Sequence, residues 1–207
     1  MYSQINQFSE TVVGSIPHTH IADYEWLLQN TAQASSPDYQ KRCRFYWAMN
    51  VAQMSPPFYT AYFGALDAAM KELMTLGEVT HILYDASARR DGRQSLQFSF
   101  ATKLLHMTNP VLPIFDSQIA GFYFFQEAGT GLNLQQRIVG FVAFHDFLGR
   151  EYARVLKCGL LAKAIEEYRR QLKPQHVTDE KIVDSLIWAF VGLLRKGALP
   201  KGQVTYR

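Results

Sequence analysis

The chain has 207 residues, of which 48% are hydrophobic, 14% aromatic and 19% charged; that composition excludes disorder and predicts one compact unit over residues 1–207 with a sizeable core. Its formal net charge of +3 and pI of about 8.8 fall short of a strongly basic nucleic-acid binder. No apolar run is long enough to span a bilayer, which takes about 18–20 residues, and the first residues lack the basic and apolar regions of a signal peptide, so a cytoplasmic protein with no membrane partner is expected. Cys43 and Cys158 are then reduced, buried thiols, too few for a thiolate-held cluster.

Apolar spacing predicts helices nearly throughout, about eight or nine packed as an all-α bundle. Residues 1–20 are expected to be peripheral. The first long helix is placed over residues 21–33, with Tyr24, Leu27 and Leu28 on one face. In "SSPDYQKRC" Ser36 caps and Pro37 takes the first helical position of a second helix reaching about Gln53. "SPPF" repeats the device, with Ser55 as cap and a helix continuing to Leu76, where Gly77 ends it. A shorter helix, "EVTHILYDASARR", stops at Asp91-Gly92, a turn pair.

The stretch "FSFATKLLHMTNPVLPIFDSQIAGFYFF", residues 98–125, holds the most informative pattern. Phe98, Ala101, Leu104 and Leu105 share one helical face, while Thr102, Lys103 and His106 are expected to look outward. Asn109-Pro110 breaks that helix, and Pro113 makes "NPVLPIF" run extended. Asp116 then stands at the start of a new helix, where its carboxylate can accept the first free backbone N–H groups. Beyond it come a glycine-bearing loop, a long helix in "LQQRIVGFVAFHDFLGREYARVL", an amphipathic run ending before Pro174, and a last helix capped by Thr178. That last helix carries Ile182, Val183, Leu186, Ile187, Phe190 and Leu194 along its apolar stripe, and Asp184 is read as part of its solvated face, near Lys181. Residues 200–207 are expected to form a peripheral tail.

"FATKLLH" followed by "LPIFDSQIAGF" resembles the second half of the motif of the helix-hairpin-helix DNA glycosylase superfamily, over about residues 95–125. The same "FATKLLH…LPIFDS" pattern also resembles a set of small bacterial proteins whose function the likeness does not supply. The glycosylase resemblance implies a helical fold and DNA as a partner, and it sets Asp116 at the catalytic aspartate, which assists cleavage of the base–sugar bond. Where that family has its hairpin glycines, this chain has Ser95-Leu96-Gln97. Where its lyase-active members carry a nucleophilic lysine, it has Ser99, and Lys103 lies a turn further on, pointing elsewhere. The implied activity is that of a monofunctional hydrolase without lyase chemistry, and no cofactor is expected.

Each candidate has a simpler structural reading beside the functional one. Asp116 is either a helix N-cap alone or a catalytic carboxylate. Arg89, Arg90 and Arg93, just before the motif, suit contact with DNA phosphates, as Lys103 does, or a solvated loop. "KRCR" beside Phe45, Tyr46 and Trp47 suits base stacking or a core-facing helix. His18 and His20 could supply two metal ligands, but no residue set with recognisable spacing completes a site, so no metal is expected. His106 and His145 could act as bases or be satisfied core residues. The rival class is a non-enzymatic helical module that binds itself or another protein, for which aromatic content is equally suited.

Overall fold

The computed structural model describes residues 1–86, 94–127 and 131–199. It is all-α: eleven α-helices and no strand occur among the described residues. The chain begins with α1 (Tyr2–Gln7) and α2 (Ser9–Gly14). Far from being peripheral, as expected of residues 1–20, these helices bury Ile5, Val12 and Val13 completely in a core shared with the C-terminal helices. Six-residue helices are too short for a sequence window to register their periodicity.

Next come α3 (His18–Gln29), a 3₁₀ turn at Thr31–Gln33, and α4 (Pro37–Tyr46), which Ser36 caps by accepting from the Tyr39 amide. The last of these stops seven residues short of the expected end at Gln53. Its end is a Schellman motif: the Met49 amide donates to the Arg44 carbonyl, the Ala48 amide to that of Phe45, and Ala48 takes the left-handed conformation at φ 53°. Helix α5 (Pro56–Ala69) is capped by Ser55 as expected, but ends before Leu76. Gly77 lies inside α6 (Leu76–Ala86) rather than ending its predecessor. Thr75 and Glu78 form a reciprocal cap at the start of α6, the Glu78 amide donating to Thr75 Oγ1 and the Thr75 amide to Glu78 Oε2.

After α7 (Phe98–Thr108) the chain runs extended to Asp116, which caps the short α8 (Ser117–Phe122). Asn133 and Gln136 form a capping box that starts the long α9 (Leu134–Lys157). The fold closes with α10 (Ala162–Leu172) and α11 (Asp179–Arg195), the latter capped by Thr178. The expected tail, residues 200–207, lies outside the described residues.

Two hydrophobic clusters organise these helices. One joins α1, α2, α8, α10, α11 and the second half of α9, and the other joins α4 to α7 with Leu27 and Phe141. Phe115 and Phe125 pack against both. The connection from α7 to α8 therefore runs along the seam between the two cores.

Candidate functional site

Asp116 is placed by a connection whose polar backbone groups are pinned one after another. Thr178 Oγ1 donates to the Pro110 carbonyl at 2.9 Å, His106 Nδ1 to that of Leu112 at 2.6 Å, and His145 Nε2 to that of Pro113 at 2.9 Å. The Phe115 amide donates to Thr102 Oγ1 at 3.1 Å. Because a carbonyl can only accept, His106 carries its proton on Nδ1, and its Nε2 accepts from the Tyr24 hydroxyl at 2.7 Å. Burial holds His106 neutral, pulling its pKa down to about 3, and Lys181 adds to the shift. Thr102 and His106, expected to face outward, are thus buried anchors of the segment that carries Asp116. The pairing of Thr102 and His106 with that segment decides their direction, which an apolar-face count on α7 could not see.

The cap reading of Asp116 is correct as far as it goes. Its side chain accepts from the amides of Gln118 at 2.8 Å and Ile119 at 2.9 Å, and both bonds fall on Oδ1. Oδ2 is left over. Asp116 lines a cavity of about 270 Å³ between the two cores, together with His20, Tyr46, Trp47, Lys103 and Ile114 on one side and Lys181, Asp184, Ser185 and Trp188 of α11 on the other. It also lines an adjoining, more open groove bordered by Val51, Ser99, Phe100, Ser117, Gly121 and Phe125. Asp116, Lys103, Trp47 and Ala48 are common to both spaces. Asp116 therefore sits where the groove opens into the cavity.

Lys103, expected to look outward, lines both the cavity and the groove together with Asp116. It is half-buried, with its ammonium 5.5 Å from the Trp47 ring and 5.1 Å from that of Phe100. Desolvation lowers its pKa, while the Asp116 charge works the other way. Asp184 corrects a second expectation: far from a solvated face, it is 5% exposed and ion-paired with Lys181, Nζ to Oδ2, at 2.8 Å. Burial raises the Asp184 pKa and Lys181 opposes the shift. Lys181, Asp184, Ser185 and Trp188 follow helical spacing and turn one polar stripe of α11 to the cavity.

Aromatic rings complete the lining. His20 stacks on Tyr46 with ring centroids 4.5 Å apart, accepts or donates at 3.0 Å to the Tyr46 hydroxyl, and lies nearly parallel to Trp188 at 6.4 Å. Desolvation, aided by Lys181, pulls the His20 pKa down to about 4. Of the aromatic trio after "KRCR", Trp47 and Tyr46 reach the cavity, whereas Phe45 is exposed. Buried Cys43 and exposed Cys158 are both free thiols, so the expectation of burial holds for the first alone.

Arg89, Arg90 and Arg93 lie outside the described residues. Ser95-Leu96-Gln97 forms no helix, and Gln97 Nε2 donates to Ser95 Oγ there. No group of three or more candidate metal ligands occurs among the described residues, and no helix among them is long and apolar enough to cross a membrane. The α11 stripe, His20 and Trp47 escaped the sequence reading as a joint site. The available signal was a Lys and an Asp three residues apart in a helix otherwise apolar on nearly every side, where neither could stay unpaired.

Comparison of the chain with protein-family models, with curated proteins and with solved structures gives no match. The geometry of the site itself supports whatever function is assigned.

Proposed function

We propose that this protein acts on DNA as a base-excising hydrolase, with a nucleobase turned out of the stack into the cavity and Asp116 beside the sugar at its mouth. The observation that carries this reading is the double placement of Asp116: Oδ1 is spent on the α8 cap, and Oδ2 is left at the junction of groove and cavity. A strand lying in the groove would present one base to the cavity, and a site of about 270 Å³ is on the scale of a single heterocyclic ring system.

The chemistry is hydrolysis. The C1′–N bond breaks with its electron pair leaving on the base nitrogen, which takes up a proton, while water adds to C1′ and yields the free base and a sugar hydroxyl. Positive charge grows on the sugar as that bond lengthens, and a fixed carboxylate stabilises it without reorganising. Lys103 and Lys181 favour the negative charge that develops on the departing base.

The rival reading, a helical interaction module, leaves the Lys181–Asp184 pair unexplained. A buried ion pair adds little net stability over apolar replacements, so its presence around a cavity favours a ligand.

Duplexes carrying a panel of damaged bases test the proposal, with the parent compared against Asp116→Asn. Release of base by the parent and its loss in the variant is the expected result. DNA binding should also weaken steeply between low and high salt. Absence of binding at low salt, or cleavage indifferent to Asp116→Asn, removes the proposal.

A further inference from the structure

Of the residues that border both the cavity and the groove, Trp47, Ala48, Lys103 and Asp116, the last two are ionisable. Asp116 has one oxygen engaged by the α8 cap. Lys103 has no comparable tie. Of the two lysines that line the cavity, Lys181 is ion-paired with Asp184 at 2.8 Å, whereas no hydrogen bond or ion pair holds the Lys103 ammonium among the described residues. Its neighbours are aromatic rings, Trp47 at 5.5 Å and Phe100 at 5.1 Å from the ammonium to the ring centres. A ring attracts a cation through its quadrupole but fixes the proton far less firmly than a carboxylate does.

Burial beside those rings strips water from the ammonium and lowers its pKa; Lys181 adds to the shift, and Asp116 and Asp184 oppose it. Lys103 thus combines an amine that gives up its proton more readily than an exposed lysine, the absence of a fixed partner among the described residues, and a place on the wall of an open space. Those are the conditions under which a lysine attacks a carbonyl carbon.

We infer that Lys103 is an imine-forming amine, which captures an aldehyde carbon brought to the junction of cavity and groove. The nitrogen lone pair adds to the carbonyl carbon and the C–O π pair moves to the oxygen. That oxygen leaves as water with the two protons of the amine, and a C=N bond to the lysine remains. Hydrolysis reverses each step and returns the free amine. The source of the aldehyde rests on the base-excision reading above: once the base has left, the sugar opens to an aldehyde at C1′, the carbon that reading sets beside Asp116. Capture then holds the damaged strand on the protein until the imine hydrolyses.

Cyanoborohydride reduces an imine to a stable secondary amine, so adducts on the intact protein can be weighed and mapped by peptide mass spectrometry. A duplex with a single abasic site and propanal, a small free aldehyde, serve as separate probes. At neutral pH ordinary lysines, with pKa about 10.4, are protonated and set the background. Propanal should mark Lys103 ahead of every other lysine, and the abasic duplex should mark Lys103. Lys103→Arg, which keeps the charge, and Lys103→Met, which keeps the stem, should each lose that adduct. Mapping on the parent protein needs no variant, so misfolding of either replacement leaves the result standing. Adducts spread over exposed lysines with Lys103 unmarked by both probes overturn the inference. Capture of propanal without capture of the abasic duplex upholds the amine and overturns the abasic sugar as its partner. Base release from damaged duplexes, compared with Asp116→Asn, requires no adduct on Lys103, so failure of the hydrolase reading and failure of capture are distinct results.

Discussion

Replacement of Lys181 by methionine isolates the energetics of the cavity. Methionine fills much of the lysine stem's volume, so the perturbation is the loss of an ammonium held 2.8 Å from Asp184, with both side chains more than nine-tenths buried at 7% and 8% exposure. What remains for Asp184 is the Tyr152 hydroxyl at 3.4 Å, too long to compensate a buried carboxylate. Breaking one side of such a pair typically costs about 3–5 kcal/mol, whereas replacing both partners by apolar residues is often neutral. Lys181→Met is therefore expected to lose about 3 kcal/mol at neutral pH, and Lys181→Met with Asp184→Leu to fall within about 1 kcal/mol of the parent.

The pH dependence has a definite sign. Burial already raises the Asp184 pKa above its ordinary value, and without Lys181 it must rise further. A carboxyl whose folded pKa is raised contributes most stability below its unfolded value, and that contribution is lost as pH rises through the folded pKa. The gap between Lys181→Met and the parent should thus be narrow in acid and wide at neutral pH. Urea unfolding followed by far-UV circular dichroism reads it directly: with slopes of about 1–3 kcal/mol per molar urea, the midpoint should fall by roughly 1–3 M. A loss under about 1 kcal/mol, or a double replacement as damaging as the single one, would refute a desolvated pair between α11 and the cavity.

Asp116→Asn should keep the α8 cap and unfold within about 0.5 kcal/mol of the parent, since Asn caps as well as Asp, while Asp116→Ala should cost about 1 kcal/mol in the same urea assay; base release should be lost in both. Ala48→Gly should raise stability by about 0.5–1 kcal/mol, because it relieves a side chain at φ 53°. Global stability should fall as pH drops below about 6.5, the unfolded histidine value: His20 and His106 have folded pKa values lowered to about 4 and about 3, so their contribution is present above that value and lost on acidification. A thiol reagent should modify Cys158 rapidly under native conditions and spare Cys43, whose thiol burial pushes up to about 12; mass spectrometry of the labelled peptides checks it.

Helix starts were legible because their chemistry is local. Ser36, Ser55, Asp116 and Thr178 each accept from an amide two or three residues on, and the prolines at 37 and 56 mark first turns. The ends were not, because α4 terminates through a left-handed alanine at a position where sequence rules look for glycine or asparagine. The reciprocal Thr75–Glu78 cap is written in "TLGE", where Gly77 sits inside the first turn of α6 instead of ending a helix. Directions of polar side chains on α7 depend on partners outside that helix: Thr102 meets Phe115, and His106 meets Tyr24 and Leu112. No periodicity within one helix encodes such pairings.

Two non-glycine residues at Schellman stops flank the same groove. Gly159 and Gly197 occupy the left-handed position in the stops after α9 and α11, but Ala48 takes it after α4 and Phe124 after α8. Ala48 lines the cavity and the groove, and Phe124 precedes Phe125, which lines the groove. A left-handed residue with a Cβ costs about 1–2 kcal/mol, and such strain persists where surrounding structure over-determines it. Here the surroundings are the two cores: the first stop releases the chain so that Trp47 is buried at the seam, and the second swings Phe125 back across Phe115 and Phe144. Asp116 borders the same groove as Ala48 and Phe125, on a connection anchored by hydrogen bonds with Thr178, His106, His145 and Thr102. The fixed approach holds Asp116 Oδ1 on the amides of Gln118 and Ile119 while the residue borders both the cavity and the groove, so two packed cores and four hydrogen bonds together set the position of one side chain.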